Sequence, residues 1–161
     1  MTTPALTKVT HEVLVNVPLH EAFDVFTTRF GDFKPREHNL LAAPIVETVV
    51  EPRVGGHIID RAADGSECRW ARILAFEPPH GITFSWDISP NWTIESDPEK
   101  TSEVEVKFEP DGDSATRVTL EHRLLHRHGP GWESERDAIA GPGGWPLYLA
   151  AYTELTNPTR P

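Results

Sequence analysis

Six short segments between Ile45 and His122 constrain this chain more than any other feature. They are IVETVVE (45–51), GHIIDRA (56–62), SECRWARILAF (66–76), GITFSWDI (81–88), SEVEVKFE (102–109) and ATRVTLEH (115–122). Each is rich in β-branched or aromatic residues, and turn signals divide them: PRVGG, ADG, EPPHG, the longer PNWTIESDPEKT, and PDGDS. Strands joined by such short connections run antiparallel. Three of them alternate cleanly, with Ile82, Phe84, Trp86 and Ile88, then Val104, Val106 and Phe108, then Val118, Leu120 and His122 on one side. The residues between them, such as Thr83, Ser85, Glu105, Lys107, Thr119 and Glu121, are polar. A period of two with this contrast gives a sheet with one wet face and one apolar face that needs a cover.

The ends of the chain supply the cover. KVTHEVLVNV (8–17) alternates as a further strand, and LHEAFDVFTTRF (19–30) then places Leu19, Ala22, Phe23, Phe26 and Phe30 at helical spacing, with Gly31 as the stop. DFKPREHNLLAAP (32–44) reads as irregular or weakly helical, because Pro35 disfavours helix at the residue before it. Near the C-terminus, Trp145, Tyr148, Leu149, Tyr152 and Leu155 make an aromatic-rich helical stripe, with Pro146 in its first turn. A second helical piece, WESERDAIA, precedes it and is cut off by GPGG. The expectation is an α+β domain: a curved antiparallel sheet of six to seven strands around a long C-terminal helix, with two short helices after strand one. At 161 residues the chain fits a single domain, 1–161, with its core over about 9–155.

Twenty-five acids against fifteen bases give a formal charge of −10, which argues against nucleic acid and anionic membrane as partners. No apolar run is long enough to span a bilayer, and MTTPALTKVT lacks the pattern of a secretory signal, so a cytoplasmic protein is expected. Cys68 is the only cysteine, which rules out an internal disulfide and a thiolate metal cluster. As a nucleophile it would need a base and an electropositive setting; the plainer reading is a small apolar filler. Gly55-Gly56 feeds a strand, not a helix N-terminus, and so reads as a turn instead of a phosphate cradle. His122, His126 and His128 suit no zinc spacing, and neither metal nor cofactor is expected.

The order of elements, together with "VPLHEAFDVFT", "EPRVGG", "DGSECRWARILAFEPP", "SEVEVKF", "TRVTLEHR" and "GPGGWPLYL", resembles the START-like (SRPBCC) superfamily. Within it, these stretches are similar to the branch of homologues of the heat-shock protein 90 ATPase activator, C-terminal domain. The resemblance runs from about Val9 to Leu155 and implies a helix-grip (START/Bet v-like) fold with a cavity beneath the C-terminal helix. One departure stands out. Members of this branch often carry paired tryptophans before the proline of the weak helix, whereas this chain has Asp32-Phe33-Lys34-Pro35, leaving Phe33 as the aromatic at that wall.

The candidate ligand contacts are Phe33, His38, Asp60, Trp70, Arg72 and Phe84, with Trp86, His122, Trp145, Tyr148, Leu149 and Tyr152. Strand parity turns Trp86 and His122 inward, while SECRWARILAF mixes parities at Trp70 and suggests a bulge. His122 then reads either as a satisfied core histidine or as a polar ligand contact. The first functional reading is a non-catalytic module that holds a small apolar or aromatic molecule. The alternative is a cyclase, dehydratase or hydrolase using His122 with Asp60 or Glu121 as acid and base and Arg72 to hold an anionic group. A third is a co-chaperone-like interaction module, and a homodimer is left open.

Overall fold

A computed structural model describes residues 6–157. Seven strands form one antiparallel sheet in the order β1-β7-β6-β5-β4-β3-β2. They are β1 Val9–Val15, β2 Ile45–Val50, β3 His57–Ala62, β4 Glu67–Glu77, β5 Gly81–Trp86, β6 Ser102–Pro110 and β7 Thr116–Arg123. Two short helices, α1 Leu19–Thr28 and α2 Phe30–Phe33, follow β1, and α3 Trp132–Ala140 and α4 Trp145–Leu155 close the chain. The curved sheet grips the C-terminal helical segment as a helix-grip fold does. Among the described residues no helix is long and apolar enough to cross a membrane.

The curvature has a local cause in β4. Ile58 pairs with Ala71 while Ile59 pairs with Arg69, so Trp70 is an extra residue on β4. Ile73 pairs with Phe84 and Ala75 with Thr83, which makes Leu74 a second one. Each insertion bends the strand and increases its twist. The first also resets the side-chain parity, so the adjacent Trp70 and Ala71 are both buried.

Helix α1 ends two residues earlier than the glycine suggests. Arg29 caps it, and Gly31 lies within α2, where an added Cβ would sit 3.0 Å from the main-chain oxygen of Thr48 on β2. That glycine is there for the close approach of α2 to the sheet. The long C-terminal helix is in two pieces, α3 and α4, divided at GPGG as the sequence indicates. At Gly144 an added Cβ would overlap the carbonyl of Ile139, so only glycine lets α4 start this close to the end of α3.

The core is filled at one end and hollow at the other. Phe23, Phe26, Phe30 and Phe33 from α1 and α2 interlock with Phe108 of β6 and Tyr152 of α4, with ring centroids 4.9–5.7 Å apart. Burying each such ring contributes roughly 1.5–3 kcal/mol. Beyond them, Trp70, Trp86 and Trp145 continue the aromatic chain at centroid spacings of 5.5 and 5.6 Å. These three stand around open space.

Candidate functional site

That space is a cavity of about 450 Å³ between the sheet, the start of α4 and two loops. Its size falls in the range of small-molecule sites, and its lining is mostly apolar. Trp70 and Trp86 form the sheet wall, Trp145 and Tyr148 the α4 wall, and Ile139 with Gly143-Gly144 the side where α3 meets α4. Leu40 and Trp92, both more than one-third exposed, stand at its rim.

Polar side chains gather at one end. Lys34, which caps α2, is 7% exposed. Its Nζ lies 3.3 Å from Asp60 Oδ2, donates to the main-chain oxygen of His38 at 2.5 Å, and stands 5.9 Å over the Trp70 ring. Thr48 donates to Asp60 Oδ1 at 2.7 Å, so the carboxylate is held from both sides. His38 Nδ1 and the Tyr148 hydroxyl are 2.9 Å apart. Burial lowers the pKa of Lys34, with Asp60 opposing the shift. Burial, then the Lys34 charge, lowers that of His38, which favours a neutral imidazole. Burial raises the pKa of Tyr148, which keeps its phenol protonated.

Behind the tryptophan walls lies a second, fully buried polar chain. Trp145 Nε1 donates to His122 Nδ1 at 3.0 Å, and Trp86 Nε1 donates to Glu135 Oε2 at 2.9 Å. Between them, Ser102 Oγ is 2.7 Å from both His122 Nε2 and His128 Nε2. An indole can only donate, so His122 Nδ1 must accept and its proton sits on Nε2, aimed at Ser102. Ser102 then has its own proton for His128 Nε2, which leaves the His128 proton on Nδ1. That atom faces Glu135 Oε1 at 3.7 Å, and neither atom has another partner among the described residues. Burial pushes the Glu135 carboxyl up to about 7. Burial also lowers His128, and burial with the His128 charge lowers His122. One consequence reaches the cavity: the N–H groups of Trp86 and Trp145 are both taken, so those walls offer a ligand ring surface and no donor.

The structure brings six of the twelve candidate contacts to the cavity: His38, Asp60, Trp70, Trp86, Trp145 and Tyr148. Phe33, Phe84, Leu149 and Tyr152 are packed in the adjoining core, and His122 sits behind the Trp86–Trp145 wall. Arg72 is turned away to Asp87 and Thr101, at 3.1 and 3.0 Å, because the bulge at Trp70 shifts its parity. Glu121 lies on the wet face in an ion cluster with Arg123 and Lys8. His122, Asp60 and Glu121 therefore do not converge on one ligand atom. Of the histidines considered for a metal, His122 and His128 share the Ser102 hydroxyl while His126 is exposed. Cys68 is buried, and burial raises its thiol pKa, as befits a filler. Gly55, with φ of +89°, makes the turn before β3.

Lys34, Trp92 and Glu135 were not visible as site residues in the sequence. For Glu135 a signal existed: it falls at i+3 from Trp132 and i−4 from Ile139, an acid on the inward stripe of α3. Lys34 and Trp92 lie in irregular segments that no periodicity places.

Among functionally curated proteins none matches this sequence. Of solved structures, an anthrahydroquino-γ-pyrone synthase, Txn09, complexed with SUM, is 36% identical, with 93% of this chain and 97% of that chain covered and a TM-score of 0.66. CalC, a self-sacrificing resistance protein from Micromonospora echinospora, is 22% identical over 95% of this chain and 97% of its own, with a TM-score of 0.68. Protein MLL2253 from Mesorhizobium loti is 17% identical over 96% and 99%, with a TM-score of 0.67. The last two share the fold. Residues 16–156 match the family described as Activator of Hsp90 ATPase homolog 1-like protein, and with that match spanning nearly all of the grip, the chain belongs to this family.

Proposed function

We propose that this protein binds a planar aromatic molecule carrying oxygen functions at one end, in the cavity between the sheet and α4. The observation that carries the reading is the asymmetry of the lining. Three tryptophans and a tyrosine wall the cavity, two of the indole N–H groups are already committed, and the polar side chains Lys34, His38, Asp60 and Tyr148 gather at one end. Flat rings fit such walls, because offset and edge-to-face contacts add to simple burial. Oxygens on the ligand would meet the polar side chains at the Lys34 end, and the indole N–H of Trp70, which has no partner among the described residues, is a further donor in the lining.

The test is titration with 1,8-dihydroxyanthraquinone while following tryptophan fluorescence. The expected result is saturable quenching, abolished by Ala138→Trp, which fills the cavity from an exposed position on its rim. Quenching that fails to saturate, or that survives Ala138→Trp unchanged, would refute it.

A second reading, ring-forming catalysis in the same cavity, is favoured by the synthase that shares 36% of its sequence with this chain and by the His38–Tyr148 contact inside the cavity.

A further inference from the structure

Building on that second reading, we propose that His38 and Tyr148 form a two-residue proton shuttle that closes a 2,3-dihydropyran-4-one ring on phenols bearing an α,β-unsaturated ketone at the ortho position. The geometry that points to it is a series arrangement. His38 Nδ1 is 2.9 Å from the Tyr148 hydroxyl, and both residues line the cavity. Neither His38 Nε2 nor the remaining bonding capacity of Tyr148 Oη is used by another described protein group. Lys34 Nζ grips the main-chain oxygen of His38, and Lys34 is fixed by Asp60, which Thr48 holds in turn. The imidazole is thereby fastened to the sheet although it sits on an irregular segment.

The shuttle works by exchanging tautomers. At the start His38 carries its proton on Nδ1 and donates it to Tyr148 Oη, Tyr148 donates to the substrate ketone oxygen, and bare Nε2 accepts the substrate phenol proton. As the phenol oxygen attacks the β-carbon, a C–O bond forms and the C=C π pair shifts to give an enol. The phenol proton passes to Nε2, the Nδ1 proton to Tyr148, and the Tyr148 proton to the ketone oxygen. His38 is left as the other neutral tautomer. The cycle closes when Nε2 delivers its proton to the α-carbon and the enol proton returns through Tyr148 to Nδ1. The net change is an isomerisation: one C–O and one C–H bond replace one O–H bond and one C=C π bond, with no oxidant, reductant or leaving group.

The surroundings suit a shuttle better than two separate acid and base steps. Burial disfavours the tyrosinate, and burial with the Lys34 charge disfavours the imidazolium. A proton that enters at one ring nitrogen as another leaves at the other puts lasting charge on neither residue.

The probe is 2′-hydroxychalcone, which has this phenol and enone and closes to a flavanone with loss of its long-wavelength absorbance. Wild-type protein should accelerate closure and give non-racemic flavanone, which the uncatalysed reaction cannot. His38→Gln and Tyr148→Phe should each lower kcat on the order of 10²-fold, with the double variant no worse than either single, because the two act as one unit. Quenching by the probe without turnover, or full turnover by both variants, overturns the shuttle and leaves the binding reading standing. Absence of saturable quenching by both the chalcone and the anthraquinone overturns the binding reading, and the shuttle with it.

Discussion

Replacing Glu135 with glutamine should alter how stability depends on pH more than it alters stability at any one pH. The carboxyl is 1% exposed, and burial raises it from an ordinary 4.5 to about 7. Across that window the folded protein keeps a proton that the unfolded chain has released. Stability from this group is therefore fully present below about pH 4.5 and is lost as pH rises through about 7. Between pH 5 and pH 8 the loss amounts to about 2–3 kcal/mol, at ~1.4 kcal/mol for each unit of displacement. His122 and His128 act in the opposite sense: burial lowers both, so what they contribute is present above about pH 6.5 and is lost as pH falls. The wild-type profile mixes these effects, and subtraction separates them. Urea unfolding of wild type and Glu135→Gln, followed by tryptophan fluorescence at both pH values, should show the difference moving by about 2–3 kcal/mol in favour of glutamine toward the higher pH. A difference constant to within about 0.5 kcal/mol would refute the reasoning. It would mean that His128 Nδ1–H closes its 3.7 Å gap to Oε1 and holds the carboxylate ionised by a charge-assisted bond.

Two further substitutions probe the elements around the cavity. Lys34→Met removes one partner of a buried ion pair and leaves Asp60 with Thr48 alone; it should cost about 3 kcal/mol in urea unfolding, and Lys34→Met with Asp60→Asn should cost less than the single change. Tyr152→Phe deletes a 2.6 Å hydrogen bond to the main-chain oxygen of Ala22 that ties α4 to α1; it should cost about 1–2 kcal/mol by the same measurement.

Alternation made the sheet legible because β5, β6 and β7 keep a strict period of two, so Phe84, Trp86, Val104, Val106, Leu120 and His122 could be turned inward from the sequence alone. The bulge at Trp70 is suggested by the mixed parity but cannot be positioned from it: one inserted residue reverses the assignments that follow, so Arg72, a candidate ligand contact, faces Asp87. The polar end was mostly hidden for a different reason. Lys34 and Asp60 lie at the C-cap of α2 and on β3, and only the tertiary fold brings their charges within 3.3 Å. Composition treats an isolated lysine before a proline as surface, since burying it is unfavourable without a partner that no local pattern reveals.

The hollow itself follows from where helices stop more than from which residues line it. At the filled end, α1 and α2 run on almost without interruption and present four phenylalanines to the sheet. At the other end, Pro35 ends α2, and the break at GPGG sets α4 against Ile139 with no side chain at Gly144. Two elements stop short of the same stretch of sheet, and nothing large enough fills the gap between Trp70, Trp86 and Trp145. The same interruption gives the site its polarity. In the irregular segment that follows α2, the main-chain oxygen of His38 takes its partner from the Lys34 ammonium, which brings a charge, an imidazole and the Tyr148 hydroxyl to one end of an otherwise aromatic cavity.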